Sequence, residues 1–162
     1  KRLTAPFDVT HIDAHSDLGI GYHGPGYVLN GVLPIRCDKR IDAEKYRRLN
    51  GLDEANYLLF ALAFRWISSL ENVRNPSSLP DIPKEILVPG KADSIQLSSF
   101  TAALSLGING KEPVIPFNVY EDYNGFKAEE THDFMSVAIS PRYSPKEADV
   151  LLPVFEEYMT LV

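Results

Sequence analysis

The segment that most constrains this chain is a strand-like run, Phe7-Asp8-Val9-Thr10, that passes directly into His11-Ile12-Asp13-Ala14-His15-Ser16-Asp17. A buried strand is expected from Phe7 to Asp13, with the polar residues at its carboxyl end. Successive side chains of a strand point to opposite faces, so Asp13, His15 and Asp17 are expected on one side. His11 falls on that same side, as a further ligand, an outer partner or a packed histidine. Carboxylates and imidazole together suit Mn²⁺, Fe²⁺ or Zn²⁺ better than Mg²⁺ or Ca²⁺, which prefer oxygen shells. The plainer alternative is a turn capped by Asp and Ser side chains.

Gly19, Gly21, Gly24, Pro25, Gly26 and Gly31 predict a loop over 19–31, interleaved with Tyr22, His23 and Tyr27. Loops leaving the carboxyl ends of strands are where open α/β sheets hold ligands. A helix is expected over Asp53–Leu70, broken from what precedes by Asn50-Gly51 and capped by Asp53. Its stripe is Leu58, Leu59, Leu62, Ala63, Trp66, Ile67 and Leu70, with Trp66 as core or interface packing. The prolines of 75–89 predict an irregular excursion. Strands are expected at Ser94–Leu97, at Val114–Tyr120 and, buried, at Phe134–Ile139. Pro116 would make the second of these an edge or an irregular strand. Ser144-Pro145-Lys146-Glu147 reads as a capping box opening a helix to Thr160, kinked or split by Pro153. Strands alternating with helices predict a three-layer α/β fold with a mainly parallel sheet, in a single domain over 1–162.

The 44% hydrophobic and 23% charged composition is that of an ordinary globular chain, and no apolar run approaches a membrane span. A net charge of −6 argues against nucleic acid as a partner. Arg36, Lys39, Arg40, Lys45, Arg47 and Arg48 alternate with Asp38, Asp42 and Glu44, which predicts a solvated mixed-charge face. The single cysteine, Cys37, excludes an internal disulfide and fits a reducing, cytoplasmic setting. Oligomerisation is left open.

The words Asp13-Ala14-His15-Ser16-Asp17 resemble the Asp-Ala-His-x-Asp signature of the arginase and ureohydrolase superfamily. The longer run Val9–Gly21 resembles the peptide arginases, as do Ala55–Ala61 and Ile139–Pro145 with less specificity. The resemblance implies a three-layer arginase-like fold and a two-manganese centre that hydrolyses a guanidinium group. It also implies a peptidyl-arginine substrate, converted to ornithine and urea. Carried over by position, Asp13 bridges the ions, His15 binds one and Asp17 the other, while Ala14 and Ser16 point away. The family adds an upstream histidine, and none precedes His11 here; the chain is therefore also read as a truncated piece of a longer protein. Its later Ser-x-Asp-x-Asp motif is represented only by Thr131-His132-Asp133-Phe134-Met135, so Asp133 is the remaining candidate ligand. Asp13, His15, Asp17 and Asp133 suit one ion more readily than two. For proton delivery to the departing amine, His23 is the candidate catalytic residue. Glu121 and Asp122 are candidates for holding the cation, or a solvated turn. The alternatives to a ureohydrolase are a mononuclear metallohydrolase of another amide or amidine, and an inactive arginase-like module that binds peptide.

Overall fold

Strand β1, Phe7–Ile12, forms where its sequence predicts but is only half-buried, with Ile12 exposed, because it lies at one edge of a five-stranded open sheet. The other strands are β2 (Ile67–Val73), β3 (Leu87–Val88), β4 (Lys91–Ile95) and β5 (Ile115–Tyr120). Their spatial order is β1-β2-β5-β4-β3. β1, β2 and β5 run parallel, whereas β4 is antiparallel to both β5 and β3. The fold is therefore α/β with a mixed, mostly parallel sheet. The computed structural model describes residues 4–19, 24–40, 51–97, 112–128, 132–139 and 144–160. Contacts divide the chain into two units, Lys1–Phe126 and Lys127–Val162. Among the described residues no helix is long and apolar enough to cross a membrane.

The largest correction concerns the expected helix over Asp53–Leu70. Only Tyr57–Ala63 is α-helical (helix α2, counting Gly24–Tyr27 as α1), and the residues from Ile67 onward form β2. The helix stops in a Schellman arrangement. Trp66 N–H donates to Ala61 C=O and Arg65 N–H to Leu62 C=O, both at 2.9 Å, with Arg65 at φ 58°. A left-handed arginine costs on the order of 1 kcal/mol, and its guanidinium is held by Glu112. Ile67, Leu70 and Val73 are the buried apolar residues of β2, a spacing of three that imitates a helix. The Ile67-to-Leu70 step arises because the register shifts near the start of the pairing, where Phe7 faces Ile67 but Asp8 already faces Ser69, whereas Val73 is buried on the opposite face from Leu70. The cap moves too: Asn56 precedes the helix, while the Asp53 carboxylate accepts from Ala55 N–H.

The expected loop over 19–31 is instead partly helical. Helix α1 continues into a π-helical turn, Val28–Val32. Val28 and Val32 are both fully buried, one π-turn face against the core, which gives these glycine-flanked residues a reason to coil. Tyr27 lies against Gly51, where any Cβ would fall 2.8 Å from its ring. The core unites Leu18, Val28, Val32, Leu58, Leu59, Phe60, Leu62, Leu70 and Phe117. Burying each large side chain of this set contributes about 1.5–3 kcal/mol. By alternation Val9, Leu70 and Phe117 share the core face of the sheet, followed along it by His11 and Asn72. The opposite face carries Asp8, Thr10, Ser69, Glu71 and Tyr120, joined by hydrogen bonds such as Thr10 to Glu71 at 2.8 Å.

Smaller corrections follow the same logic of local context. β4 begins earlier than expected, at Lys91, and ends at Ile95. β5 is an internal strand and not an edge. Pro116 is accommodated because pairing with β2 starts only at Phe117. Within the 75–89 excursion, Lys84–Ile86 forms a 3₁₀ turn that runs into β3. Arg40 is not on a solvated face: it is 4% exposed, donates to Leu33, Ile35 and Ala63 carbonyls, and pairs with Glu112 at 2.7 Å. Lys45, Arg47 and Arg48 lie outside the described residues.

In the second unit the expected buried strand at Phe134–Ile139 does not form. Residues 134–139 have no regular structure, and Phe134, Met135, Val137 and Ile139 are all exposed. Pro153 does split the last helix, into a 3₁₀ segment Lys146–Leu151 and α3, Leu152–Tyr158, where proline sits in the first turn. The expected capping box is replaced by Pro145 at the cap, with no side-chain cap bond.

Candidate metal centre

The parallel strands bring Ile12, Val73 and Tyr120 level at one end of the sheet, and the His-Asp motif lies there. Asp13 N–H still donates to Val73 C=O at 3.1 Å, after which the chain bends. Strict alternation therefore ends at Ile12. The Asp13 carboxylate accepts from His15 N–H at 2.8 Å, closing an Asx turn. Asp17 takes a left-handed conformation, φ 51°, which Asp tolerates better than most residues. These two local features, and not the pleat, aim the carboxylates.

The turn is fixed from below. Ser16, 1% exposed, donates through its N–H to the Asp81 carboxylate at 2.7 Å and through its hydroxyl to Asp81 C=O at 3.1 Å. Arg74, 2% exposed at the end of β2, pairs with the other Asp81 oxygen and donates to the Ala14 and Leu79 carbonyls. Ser16 is thus engaged with Asp81. Gly19 N–H to Ala55 C=O, at 2.8 Å, ties the exit of the turn to the approach to α2.

His11, Asp13 and Asp17 converge, each offering a ligand atom within 4.8 Å of the others. The His11 Nε2 atom lies 3.2 Å from an Asp17 oxygen, with both side chains mostly shielded. Asn72, the neighbour of His11 on β2, places its amide nitrogen 3.1 Å from His11 Nδ1. Tyr57, the first residue of α2, sets its ring edge-on to His11 and hydrogen-bonds Asp17. Burial raises the Tyr57 phenol, and the negative charge of Asp17, its hydrogen bond and then Asp13 push it further. Tyr57 therefore stays a protonated donor to Asp17 throughout the neutral range.

The imidazole of His15 stands outside this trio, largely exposed, with Nδ1 3.5 Å from an Asp13 oxygen. Asp133 belongs to the second unit and is exposed there, as is His132. His23 and Thr131 lie outside the described residues. Glu121 is exposed at 3.7 Å from Arg74 Nε, and Asp122 caps its own turn by accepting from Asn124 N–H. Both belong to the solvated-turn alternative. Asn72, Arg74 and Asp81 were not evident from sequence, because they depend on recognising β2 and on contacts across it. Tyr57 lies in the Ala55–Ala61 run, yet nothing in its spacing marks it as a partner of Asp17.

Comparison of the chain with protein-family models, with curated proteins and with solved structures finds no match in any of the three.

Proposed function

We propose that this chain is a manganese-dependent hydrolase of the arginine guanidinium group, acting on peptidyl arginine to give ornithine and urea. The observation that carries the proposal is the convergence of His11, Asp13 and Asp17 at the carboxyl end of a parallel strand. The donor set fits a divalent ion. Tetrahedral bonds of about 2.0–2.2 Å place ligand atoms roughly 3.4 Å apart; His11 Nε2 and the Asp17 oxygen are already 3.2 Å apart, and all three donors lie within 4.8 Å. Two carboxylates and one imidazole favour manganese, iron or zinc over calcium and magnesium. A bound ion would polarise the substrate and make a water more acidic.

The chain's own groups then have distinct tasks in this reading. Asp13 and Asp17 supply negative charge, Tyr57 orients Asp17, and Arg74 with Asp81 holds the turn that presents them. His15, beside Asp13, is the additional ligand assigned by resemblance to the ureohydrolases. His23 is assigned proton delivery to the leaving amine. The reading also takes the sheet as the middle layer of an arginase-like three-layer fold, and the chain as a cytoplasmic one.

A second reading, a mononuclear metallohydrolase of another amide or amidine, is favoured by the size of the converging set, three donors for one ion. Incubation of Mn²⁺-loaded protein with an arginine-containing peptide separates the two. Urea release with a mass change from arginine to ornithine supports the first reading. Ammonia or acetate from other substrates in the same panel, without urea, supports the second. No turnover on any member of the panel, with tight peptide binding, would leave only a binding module.

A further inference from the structure

The contact between His11 and Asn72 carries more than packing. Asn72 is fully buried on β2, and its amide nitrogen is 3.1 Å from His11 Nδ1. Its carbonyl oxygen, Oδ1, is buried without a hydrogen-bond partner among the described residues. Most buried polar side-chain atoms are paired, and leaving one unpaired costs about 1–3 kcal/mol.

The two nitrogens of a neutral imidazole have opposite roles, one donating and the other accepting. With the Asn72 amide donating to Nδ1, the proton must sit on Nε2, where it faces Asp17 at 3.2 Å. In that tautomer Nε2 has no lone pair for a cation. A half-turn of the Asn72 carboxamide reverses the assignment. Oδ1 then accepts from Nδ1–H, and Nε2 turns its lone pair toward Asp13 and Asp17. The nitrogen and oxygen of a carboxamide are nearly equal in size, so this rotation needs no repacking around a fully buried side chain.

We infer that Asn72 is the positioning residue that sets the tautomer of His11, turning its carboxamide so that Nε2 ligates a divalent cation. The inference rests on the metal-centre reading and adds a two-state element to it. With the cation absent, the amide nitrogen faces Nδ1 and His11 is bonded to Asp17. With it present, the oxygen faces Nδ1 and Asp17 is released toward the cation. Outer partners of ligating histidines commonly change metal affinity by about 10–100-fold, and Asn72 belongs in that range.

The test uses Zn²⁺, which is diamagnetic, on the full chain. Affinity is measured by titration calorimetry for the parent, Asn72→Asp and Asn72→Leu, with thermal melts run alongside. Aspartate keeps an acceptor of the same shape, so Asn72→Asp retains the parent affinity or improves on it. Asn72→Leu loses about 10–100-fold. Nitrogen-15 spectra of the histidine rings, with His11 assigned by its absence in His11→Gln, follow the parent with and without Zn²⁺. The expected result is a proton on Nε2 in the metal-free parent, moving to Nδ1 on Zn²⁺ addition, but already on Nδ1 in metal-free Asn72→Asp, a difference that a merely structural role for Asn72 would not produce. Should Asn72→Leu fail to fold, the ring spectra and Asn72→Asp decide alone. Zn²⁺ binding in the parent with unchanged His11 nitrogens, or equal affinity in a folded Asn72→Leu, overturns the inference and leaves the metal centre standing. No Zn²⁺ or Mn²⁺ binding by the parent overturns both.

Discussion

Replacing Asp17 by alanine is expected to remove divalent-metal binding and, with it, all urea release above background. Asp17 is the residue on which the site closes, since it meets His11 Nε2 at 3.2 Å and accepts from Tyr57. The loss of affinity should exceed the roughly 100-fold that outer partners of a ligand are worth. Stability changes little by comparison. Alanine at φ 51° costs about 1–2 kcal/mol, which a thermal melt registers separately. Asp17→Asn keeps the backbone preference and the shape but not the charge, so it folds like the parent and still binds metal poorly. An Asp17→Ala protein that held Mn²⁺ as tightly as the parent would remove Asp17 from the site.

The second large effect concerns the fold. Glu112→Ala is expected to destabilise the first unit by about 3–5 kcal/mol, the range for removing one partner of a buried ion pair. Arg40 and Glu112 are each about 95% shielded, and their pairing distance is 2.7 Å. Without the carboxylate the Arg40 guanidinium stays buried against three carbonyls with its charge uncompensated. Arg65, more exposed, is the weaker partner at 3.3 Å. The same triad predicts a pH dependence. Burial alone would raise the Glu112 carboxyl, but hydrogen bonds and charge from Arg40 and Arg65 outweigh it and hold it below the usual range. A depressed folded value means the stabilisation is complete above the unfolded value, about 4.3, and is lost as pH falls below it. Chemical unfolding at stepped pH should therefore show an acid limb in the parent that Glu112→Gln flattens. Identical limbs in the two proteins would deny the triad this role.

How much of this was legible beforehand can be judged from particular residues. β1 and its polar exit were readable because Phe7 and Val9 alternate with polar neighbours and the ligand types follow at once. The α/β class was readable for similar reasons. β2 was hidden because a register shift after Ile67 and burial of Val73 on the other face space Ile67, Leu70 and Val73 like a helix. The helix end before it was hidden because arginine, and not glycine, takes the left-handed position. Local signals report the average preference of a residue, and at Arg65 the tertiary pairing with Glu112 overrides that preference. At the site, alternation set His11 on the side of Asp13 and Asp17, with which it converges, but the pleat did not extend past Ile12. Beyond that point an Asx turn and a left-handed aspartate decide which side chains meet, and neither has a periodic signature. His15, matched to the family motif by spelling, stands beside Asp13 and outside the trio. Arg74, Asp81 and Asn72 come from other segments of the chain. Their relation to the motif exists only after folding.

The proposed function requires above all that a cation be held by His11, Asp13 and Asp17. Anomalous scattering at the manganese edge, from crystals grown with Mn²⁺, addresses this directly. The predicted result is a peak within coordination distance of His11 Nε2 and of one carboxylate oxygen each from Asp13 and Asp17. Fully ordered density at the carboxyl end of β1 without a manganese peak, or a peak bound only by residues elsewhere, would contradict it.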